Sequence, residues 1–518
     1  MARSRTKNVS INMIVALACQ AINLVLSFVS RTIFINVLGA DYLGVNGLFS
    51  NVLTILSFAE LGIGSAIVYS MYKPLAVGDT DKLGSLMALY KKAYRAIGIF
   101  VAVAGLCVTP FLDYIIKNKP NISENLSLLY LLFLFNTVAS YFFVYKKSII
   151  IADQKNYLVL TITEIVHVIQ IVAQAVFLVL THNFLIYLIL QVGCTVLENI
   201  IAAVVANKMY PFLKQKATPL SREESKNIFK NVRALALYRF GSVILNGTDN
   251  ILVSALVGVT EVGLVSNYVL LNSSCNAILT KITGAFTASI GNLNAISDDK
   301  KKYDVFNKIL FISAWLYGYV SVGLLTVTKL FITTWIGNEY LLDTVTNIAI
   351  VAGFYVAGMQ FATYTYRTTL GYFVQGRIAP LCAAILNILL SVLLCKWIGL
   401  AGIFIATPIS RFFTNGLVDP ILIYKYTFRK NPISYYIKYF AYILLFICIG
   451  IICELCVVKI NIGGWLGVIL DAGVVTLIFN GIMLLIFCRT KMFKELAESF
   501  MSLIRRKSKK DLKDNKRG

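Results

Sequence analysis

The chain alternates from end to end between long apolar segments and short polar segments that are mostly basic. Each apolar run has about 20 or more nearly uncharged residues, enough to cross roughly 30 Å of hydrocarbon as a helix. Because the runs are continuous and do not alternate in hydrophobicity, a transmembrane β-barrel is excluded. The pattern predicts an all-α polytopic membrane protein.

The apolar runs divide into about fourteen predicted transmembrane helices. Only Lys396 to Gly399 separate the eleventh span from the twelfth, which makes this the weakest division. The approximate spans are 11–38, 42–72, 96–116, 125–145, 157–181, 184–206, 232–257, 262–290, 306–328, 343–365, 379–395, 400–424, 437–458 and 465–488.

Composition supports the bilayer as the solvent for most of the chain. Of 518 residues, 58% are hydrophobic and 14% are charged, against about 25% charged in soluble domains. Such a chain cannot cover a water-exposed surface with polar side chains. A soluble enzyme, a secreted domain and a disordered protein are therefore excluded. The ten cysteines are scattered, mostly within apolar runs, which indicates reduced thiols and no disulfide framework.

The charge distribution predicts the orientation in the membrane. The net charge of +23 would suggest a nucleic-acid partner on a soluble protein, but membrane proteins keep Lys and Arg on cytoplasmic segments. With the N-terminus inside, the inside segments hold 40 of the 48 Lys and Arg residues and the outside connections hold five. We therefore expect both termini in the cytoplasm, a multi-pass cytoplasmic-membrane location and no nucleic-acid partner.

Amphipathic segments lie between the spans on the predicted inner side. Ser221 and Glu224 form a capping-box pattern that opens a helix. Apolar residues share one helical face within 82–95, and again in the C-terminal tail. We expect these basic helices to lie on the inner leaflet and to bind anionic membrane lipids. The longest outside connection, Lys329 to Leu342, has 14 residues, too few for a folded catalytic domain, so we expect a transporter and not an enzyme.

A glycine motif recurs along the chain and predicts an internal repeat. Gly39 and Gly44 flank four residues in the first hairpin, and Gly258 and Gly263 do the same between the seventh and eighth spans. Spans 1–6 and 7–12 would then be two lobes of the same orientation, an arrangement typical of transporters. The predicted domains are the N-lobe 1–210, the C-lobe 211–425, two extra helices in 426–490 and a basic cytoplasmic tail, 491–518.

Two stretches carry a resemblance to a known family. Residues 31–49, RTIFINVLGADYLGVNGLF, run on through FAELGIG at 58–64 and resemble the opening of Wzx-type oligosaccharide flippases. Residues 400–410, LAGIFIATPIS, resemble that family's twelfth span. These flippases form the polysaccharide-transport branch of the multidrug/oligosaccharidyl-lipid/polysaccharide (MOP) exporter superfamily.

The resemblance implies both an architecture and a cargo. It implies two six-helix lobes around a central cavity, with two appended helices. It also implies transport of undecaprenyl-diphosphate-linked oligosaccharide repeat units from the inner to the outer leaflet of a bacterial cytoplasmic membrane. The cargo lipid would be the main partner, with a polysaccharide polymerase and other assembly proteins as further partners.

Three cations within predicted spans are candidate substrate-binding residues, namely Arg31, Lys281 and Arg411. A charge at mid-bilayer costs at least about 2.5–3.5 kcal/mol, which favours a functional role. Three cations in one cavity would suit a diphosphate or an acidic sugar. The alternative is that each cation only pairs with an internal carboxylate.

Three carboxylates are candidate ion-coupling residues, namely Asp249, Glu60 and Glu164. The repeat places Asp249 within one position of Arg31, so the two are expected to form a pair that substrate or a proton breaks, or else a permanent salt bridge. Glu60 precedes Gly62 and Gly64, where a helix can bend. Glu164 and Glu198 either line the cavity or lie near the inner interface.

No metal or cofactor is expected. Glu164 and His167 have the spacing of a di-iron helix, but the sequence has no second copy of the motif. The Cys453 and Cys456 pair lies in an apolar span without partner ligands. The remaining functional alternatives are a lipid II flippase and a multidrug or cation antiporter of the same superfamily; fourteen spans and intramembrane cations argue against the antiporter.

Overall fold

The computed structural model describes residues 2–60, 63–117, 120–142, 144–214, 220–221, 223–224, 226, 228, 247–372, 375–376, 378–460 and 462–498. The described chain is helical and contains no strand. The α-helices are α1 Ala2–Leu56, α2 Ile63–Val77, α3 Thr80–Val108, α4 Leu112–Ile115, α5 Leu126–Tyr141, α6 Tyr145–Ala152, α7 Asn156–Thr181, α8 Phe184–Met209, α9 Asp249–Leu256, α10 Val259–Ile296, α11 Asp299–Trp335, α12 Thr344–Thr369, α13 Ala379–Ile398, α14 Leu400–Arg411, α15 Leu417–Ile423, α16 Ile433–Ile460 and α17 Gly464–Phe487.

Ten helices of the described chain are long and apolar enough to cross a membrane. An eleventh span results if α5 and α6, which meet at a 45° bend, cross together. The fourteen-span count stays a prediction, because most of the seventh predicted span, 232–257, lies outside the described residues. The ten are Ile14–Leu56, Thr80–Ile115, Asn156–Thr181, Phe184–Met209, Val259–Gly284, Asp299–Trp335, Thr344–Thr369, Ala379–Ile398, Ile433–Ile460 and Gly464–Phe487.

The first two predicted spans are joined without a loop. α1 runs through the first span and into the second, where it ends at Leu56, and within α1 only Gly39, with φ 83° and ψ −171°, leaves the helical conformation. A residue with a side chain rarely adopts this backbone geometry, which glycine reaches without steric cost. Gly39 therefore redirects the chain between the two halves of α1.

Local sequence signals explain where several helices begin. The side chain of Asn183 accepts hydrogen bonds from the first backbone amides of α8, and Asp343 does the same for α12. These caps satisfy amide groups that lack partners within the helix. The predicted spans 184–206 and 343–365 begin at the same places.

The twelfth predicted span, 400–424, is an interrupted helix. Pro408 lies inside α14, and a π-helical turn, Phe412–Gly416, follows directly. A second π-helical turn, Tyr424–Phe428, ends the segment after α15. Proline removes one amide donor from the helix, and π turns often mark positions where a helix is functionally adapted.

The chain folds into two compact units, considered separately below. The first unit comprises Met1–Asn267 and Pro380–Ala406, and the second comprises Tyr268–Ala379 and Thr407–Gly518, each as far as it is described. In the first unit, Phe34 and Tyr42 pack edge-on against Phe184. The second unit has a continuous aromatic and aliphatic core in which Phe306 and Tyr366 are fully buried.

The prediction that the helix in 82–95 lies with its apolar face on the inner leaflet is wrong in one respect. Its apolar face is buried inside the protein, because these residues form the first turns of the continuous α3. One hydrogen bond of the predicted capping box is present, since the backbone amide of Glu224 donates to the hydroxyl of Ser221 at 3.2 Å. Lys82 also pairs with Glu224 and holds the pKa of that carboxyl below its usual range. The buried face consists of Leu83, Leu86, Met87, Tyr90 and Tyr94.

Candidate substrate and coupling sites

The two glycine motifs meet in the first unit. A side-chain carbon built on Gly44 would overlap the backbone carbonyl of Val259, and one built on Gly263 would overlap the carbonyl of Ala40. The contact is reciprocal, because the offset that relates Gly44 to Gly263 also relates Ala40 to Val259. Glycine at both positions lets the two backbones approach closely, as in other membrane helix contacts.

A polar contact reinforces the glycine contact. The hydroxyl of Thr260 donates to Asp41 at 2.5 Å, and these two residues are separated by the repeat offset of 219. Nearby, the ammonium of Lys117 donates to the carbonyl of Leu256 at 2.5 Å. Asp41 of α1 is thus bonded to the start of α10, and Lys117, which follows α4, is bonded to the end of α9.

Arg31 lies directly beside this contact. Its guanidinium donates to the hydroxyl of Ser266 at 2.7 Å, and that hydroxyl donates to the carbonyl of Gly263 at 2.7 Å. Arg31 is half-buried, and Tyr187 interacts with it electrostatically. No carboxylate of the described residues forms an ion pair with Arg31.

The expected pair between Arg31 and Asp249 is not formed in this structure. Both residues are described, and Arg31 is held by Ser266 instead. Asp249 is half-buried at the first turn of α9. The repeat alignment gives these residues similar depths, but depth alone does not fix which side chains meet.

Glu164 lies on α7, where it is buried in the first unit and contacts α1. Its carboxylate accepts a hydrogen bond from the amide of Asn23 at 2.7 Å. Asn23 precedes Arg31 by eight residues on α1, which corresponds to about 12 Å along the helix axis. Glu198, in contrast, accepts hydrogen bonds from Lys147 at 2.5 Å and from Thr163 at 2.6 Å, so it is already paired.

Glu60 ends a directed chain of hydroxyl groups. Ser148 donates to Tyr90 at 3.0 Å, Tyr90 donates to Tyr94 at 3.4 Å, and Tyr94 donates to Glu60 at 2.5 Å. The two tyrosines lie one turn apart on α3 and are buried. Such a chain both orients the carboxylate and offers a path for protons.

The two remaining candidate cations lie in the second unit. Lys281 is on an exposed face of α10, without an ion pair to any described residue. Arg411 is the last residue of α14, and its backbone carbonyl accepts a hydrogen bond from Gln360 at 3.1 Å. The π-helical turn therefore begins directly after Arg411.

A buried ion pair in the second unit was missed by the sequence analysis. Arg367 and Asp419 are each about 2% exposed, and Nε of Arg367 lies 3.3 Å from Oδ1 of Asp419. Arg367 also donates to the carbonyl of Gly376 at 3.2 Å. In the sequence, Arg367 simply follows the tenth predicted span, 343–365, as one of the basic residues between spans. The sequence feature that could have indicated this pair is Asp419, a carboxylate within the apolar span 400–424.

Comparisons with known proteins give matches at the level of structure. No family model and no curated protein sequence matches the chain. The structure resembles "Lipid II flippase MurJ, inward closed conformation", with a TM-score of 0.62, 17% identity and coverage of 92% of this chain and 100% of that one. It also resembles an inward-facing multidrug resistance MATE family transporter, with a TM-score of 0.61, 14% identity and coverage of 79% and 96%.

The fold is similar to that of solved transporters of the MOP superfamily. A bent-form MATE transporter from Vibrio cholerae also matches, with a TM-score of 0.52, 11% identity and coverage of 82% and 98%. At these identities the likeness establishes the fold and leaves the cargo open. The apolar helices and the fold likeness indicate a multi-pass membrane protein, and its structural neighbours are transporters and flippases.

The reciprocal glycine contact predicts a clear mutational result. Gly44→Ala and Gly263→Ala each place a methyl group against a backbone carbonyl, and backbone cannot move aside as a side chain can. We expect each variant to lose about 1–3 kcal/mol of unfolding free energy, and the double variant to lose less than the sum because both act on one contact.

Unfolding of the purified protein in detergent measures these effects. Gly193→Ala is the matched control, because a side-chain carbon at Gly193 meets nothing within 4 Å, and alanine favours the helix by up to about 1 kcal/mol. Wild-type stability in both Gly44→Ala and Gly263→Ala would contradict the contact.

Proposed function

We propose that the protein is a flippase that moves undecaprenyl-diphosphate-linked oligosaccharide repeat units from the inner to the outer leaflet of the bacterial cytoplasmic membrane. It would do so by alternating access, to supply the biosynthesis of a cell-surface polysaccharide. The MOP fold supports a transporter, and the resemblance in residues 31–49 and 400–410 supports this cargo.

The observation that carries the proposal is the environment of Arg31. Placing a guanidinium within the bilayer costs free energy, so arginines in membrane helices usually have a function. Among the described residues, the polar contact of Arg31 is a serine hydroxyl and not a carboxylate. A guanidinium has five N–H donors and binds phosphate oxygens in a bidentate manner. Arg31 would therefore bind the diphosphate, with Lys281 and Arg411 as further proposed substrate-binding residues.

The membrane potential would drive the export. A diphosphate carries about two negative charges, and moving each outward from a negative interior releases about 2.3 kcal/mol per 100 mV. The total is about 4–5 kcal/mol at that potential unless a co-transported cation cancels the charge. Export of an anionic headgroup thus needs no chemical energy source.

Ion coupling is proposed for Glu60, Asp249 and Glu164. Glu60 has the strongest geometric support, because the hydroxyls of Ser148, Tyr90 and Tyr94 form a continuous chain that ends on its carboxylate. A proton that reaches Glu60 along this chain would change the charge beside the end of α1. Asp249 and Glu164 lie in the same unit as Glu60. Asp249 is a candidate because of its place in the first turn of α9, and Glu164 because it is buried.

A lipid II flippase is the second candidate function. It is favoured by the match to MurJ, which extends over 92% of this chain, and lipid II shares the polyprenyl diphosphate that Arg31 would bind. A multidrug antiporter is the third, because MATE transporters share the fold. It is less well supported, since an organic cation would be repelled by a guanidinium without a carboxylate partner.

Reconstitution of the purified full chain in liposomes distinguishes the three functions. The cargoes are an undecaprenyl-diphosphate oligosaccharide, lipid II and a fluorescent organic cation, each compared with protein-free liposomes. We expect the first cargo to reach the opposite leaflet fastest. Faster movement of lipid II would favour the second function, and transport of the organic cation alone would overturn the flippase proposal.

A further inference from the structure

Two lysines of the second unit converge on one tyrosine ring. The ammonium of Lys430 lies 3.7 Å above the ring centroid of Tyr303, and that of Lys438 lies 5.9 Å from the same centroid. Lys438 also donates to the side-chain oxygen of Asn307 at 2.7 Å. The residues come from α11, from the start of α16 and from the turn before it, so tertiary packing builds the cluster.

The cluster is held on a rigid support. Tyr303 packs edge-on against Tyr424 at 6.0 Å and against Phe428 at 5.2 Å, both of which are buried. Arg429 has a left-handed backbone, with φ 51°, and the backbone amide of Lys430 donates to the carbonyl of Tyr424 at 3.1 Å. The backbone of Lys430 is therefore held in place, which limits the positions that its ammonium group can reach.

The cluster has an excess of positive charge. Two other lysines of α11 are neutralised, since Lys302 pairs with Asp299 at 3.5 Å and Lys308 with Glu495 at 2.6 Å. Lys430 and Lys438 form no ion pair with any residue that the structure describes. Two ammonium groups beside one ring repel each other, and an anion bound between them would offset this repulsion.

An exposed apolar stripe lies on another face of α16, the helix that carries Lys438. On α16, four exposed side chains follow at intervals of four, three and four residues, which places them on one helical face. α16 is one of the ten helices able to cross a membrane, so the stripe is suited to contact acyl chains. The stripe consists of Ile433, Ile437, Phe440 and Leu444.

We propose that Tyr303, Lys430 and Lys438 bind the phosphate of an anionic phospholipid headgroup, with an acyl chain along the stripe of α16. Basic pockets between membrane helices bind such headgroups at the membrane surface. The apolar stripe favours a lipid over free phosphate, because it provides a surface for the chain that inorganic phosphate lacks. This inference adds a defined lipid site to the protein and is independent of the transported cargo.

Lipid binding to the delipidated full-length protein in detergent tests the site. The probes are phosphatidylglycerol, phosphatidylcholine and inorganic phosphate, with bound lipid counted by native mass spectrometry. We expect wild type to prefer phosphatidylglycerol, and Lys430→Gln/Lys438→Gln to bind it roughly 30-fold more weakly, the ratio for two surface ammonium groups at about 1 kcal/mol each.

Two control variants keep the test decisive. Lys425→Gln removes a nearby exposed lysine that lies over Tyr426, and it should bind phosphatidylglycerol as wild type does. Lys430→Arg/Lys438→Arg keeps both charges and should retain binding even if the glutamine variant folds poorly. Equal binding of phosphatidylglycerol by wild type and the glutamine variant would overturn the proposal, as would full displacement of the lipid by inorganic phosphate.

Discussion

Replacing Arg31 with alanine should reduce export of the lipid-linked oligosaccharide by about 30-fold or more while leaving the protein in the membrane. Truncating one partner of a buried charged contact typically costs 2–5 kcal/mol of binding. Arg31 lies beside the glycine contact and is held through Ser266, so the substitution removes the charge without removing a packing residue of that contact. Surface glycan, normalised to membrane-inserted protein, is the readout.

Companion variants separate charge from geometry at this position. Arg31→Lys should restore export if positive charge is the requirement, and should behave like alanine if bidentate binding is required. Lys281→Ala should also lose export. Lys459→Ala, which removes an exposed lysine at the end of α16, is the control. Normal glycan in both Arg31→Ala and Lys281→Ala would rule out the site.

Breaking the buried ion pair of the second unit should cause the largest loss of stability. Asp419→Leu leaves Arg367 buried beside an apolar side chain, and Arg367→Met leaves the carboxylate in the same condition. Removing one partner of a buried pair typically costs about 3–5 kcal/mol. We expect each single variant to show that loss in unfolding experiments on the purified protein.

The double variant tests whether the pair itself causes the loss. Arg367→Met/Asp419→Leu removes both charges together, and replacing a buried pair with apolar groups is often neutral or stabilising. We therefore expect the double variant to recover most of the stability lost by either single variant. Losses that simply add in the double variant would show that the two side chains act independently.

The sequence predicted the features that depend on local pattern. Gly39 lies where the first two predicted spans divide, and Asn183 and Asp343 cap the helices that begin there. Gly44 and Gly263, two of the repeated glycines, meet in one reciprocal contact, while the two-lobe repeat stays a prediction. Hydrophobic periodicity and capping chemistry are local, so a single sequence contains them.

The features that it missed depend on contacts between distant segments. Arg367 and Asp419 are separated by 52 positions, and no periodicity relates them. The apolar face of residues 82–95 was expected to lie on lipid, but the same face is buried, with Tyr94 bonded to Glu60. An amphipathic pattern gives the side of a helix that avoids water, and not whether protein or lipid covers it.

Movement of a polyprenyl-diphosphate glycan through a site containing Arg31 can be measured as translocation in liposomes under an imposed potential. Wild type and Arg31→Ala are reconstituted at equal density, and the glycan headgroup that appears in the opposite leaflet is measured at zero and at negative interior potential. We expect outward movement by wild type that accelerates with the potential, and movement by Arg31→Ala close to that of protein-free liposomes. Equal rates for wild type, Arg31→Ala and protein-free liposomes would contradict this expectation.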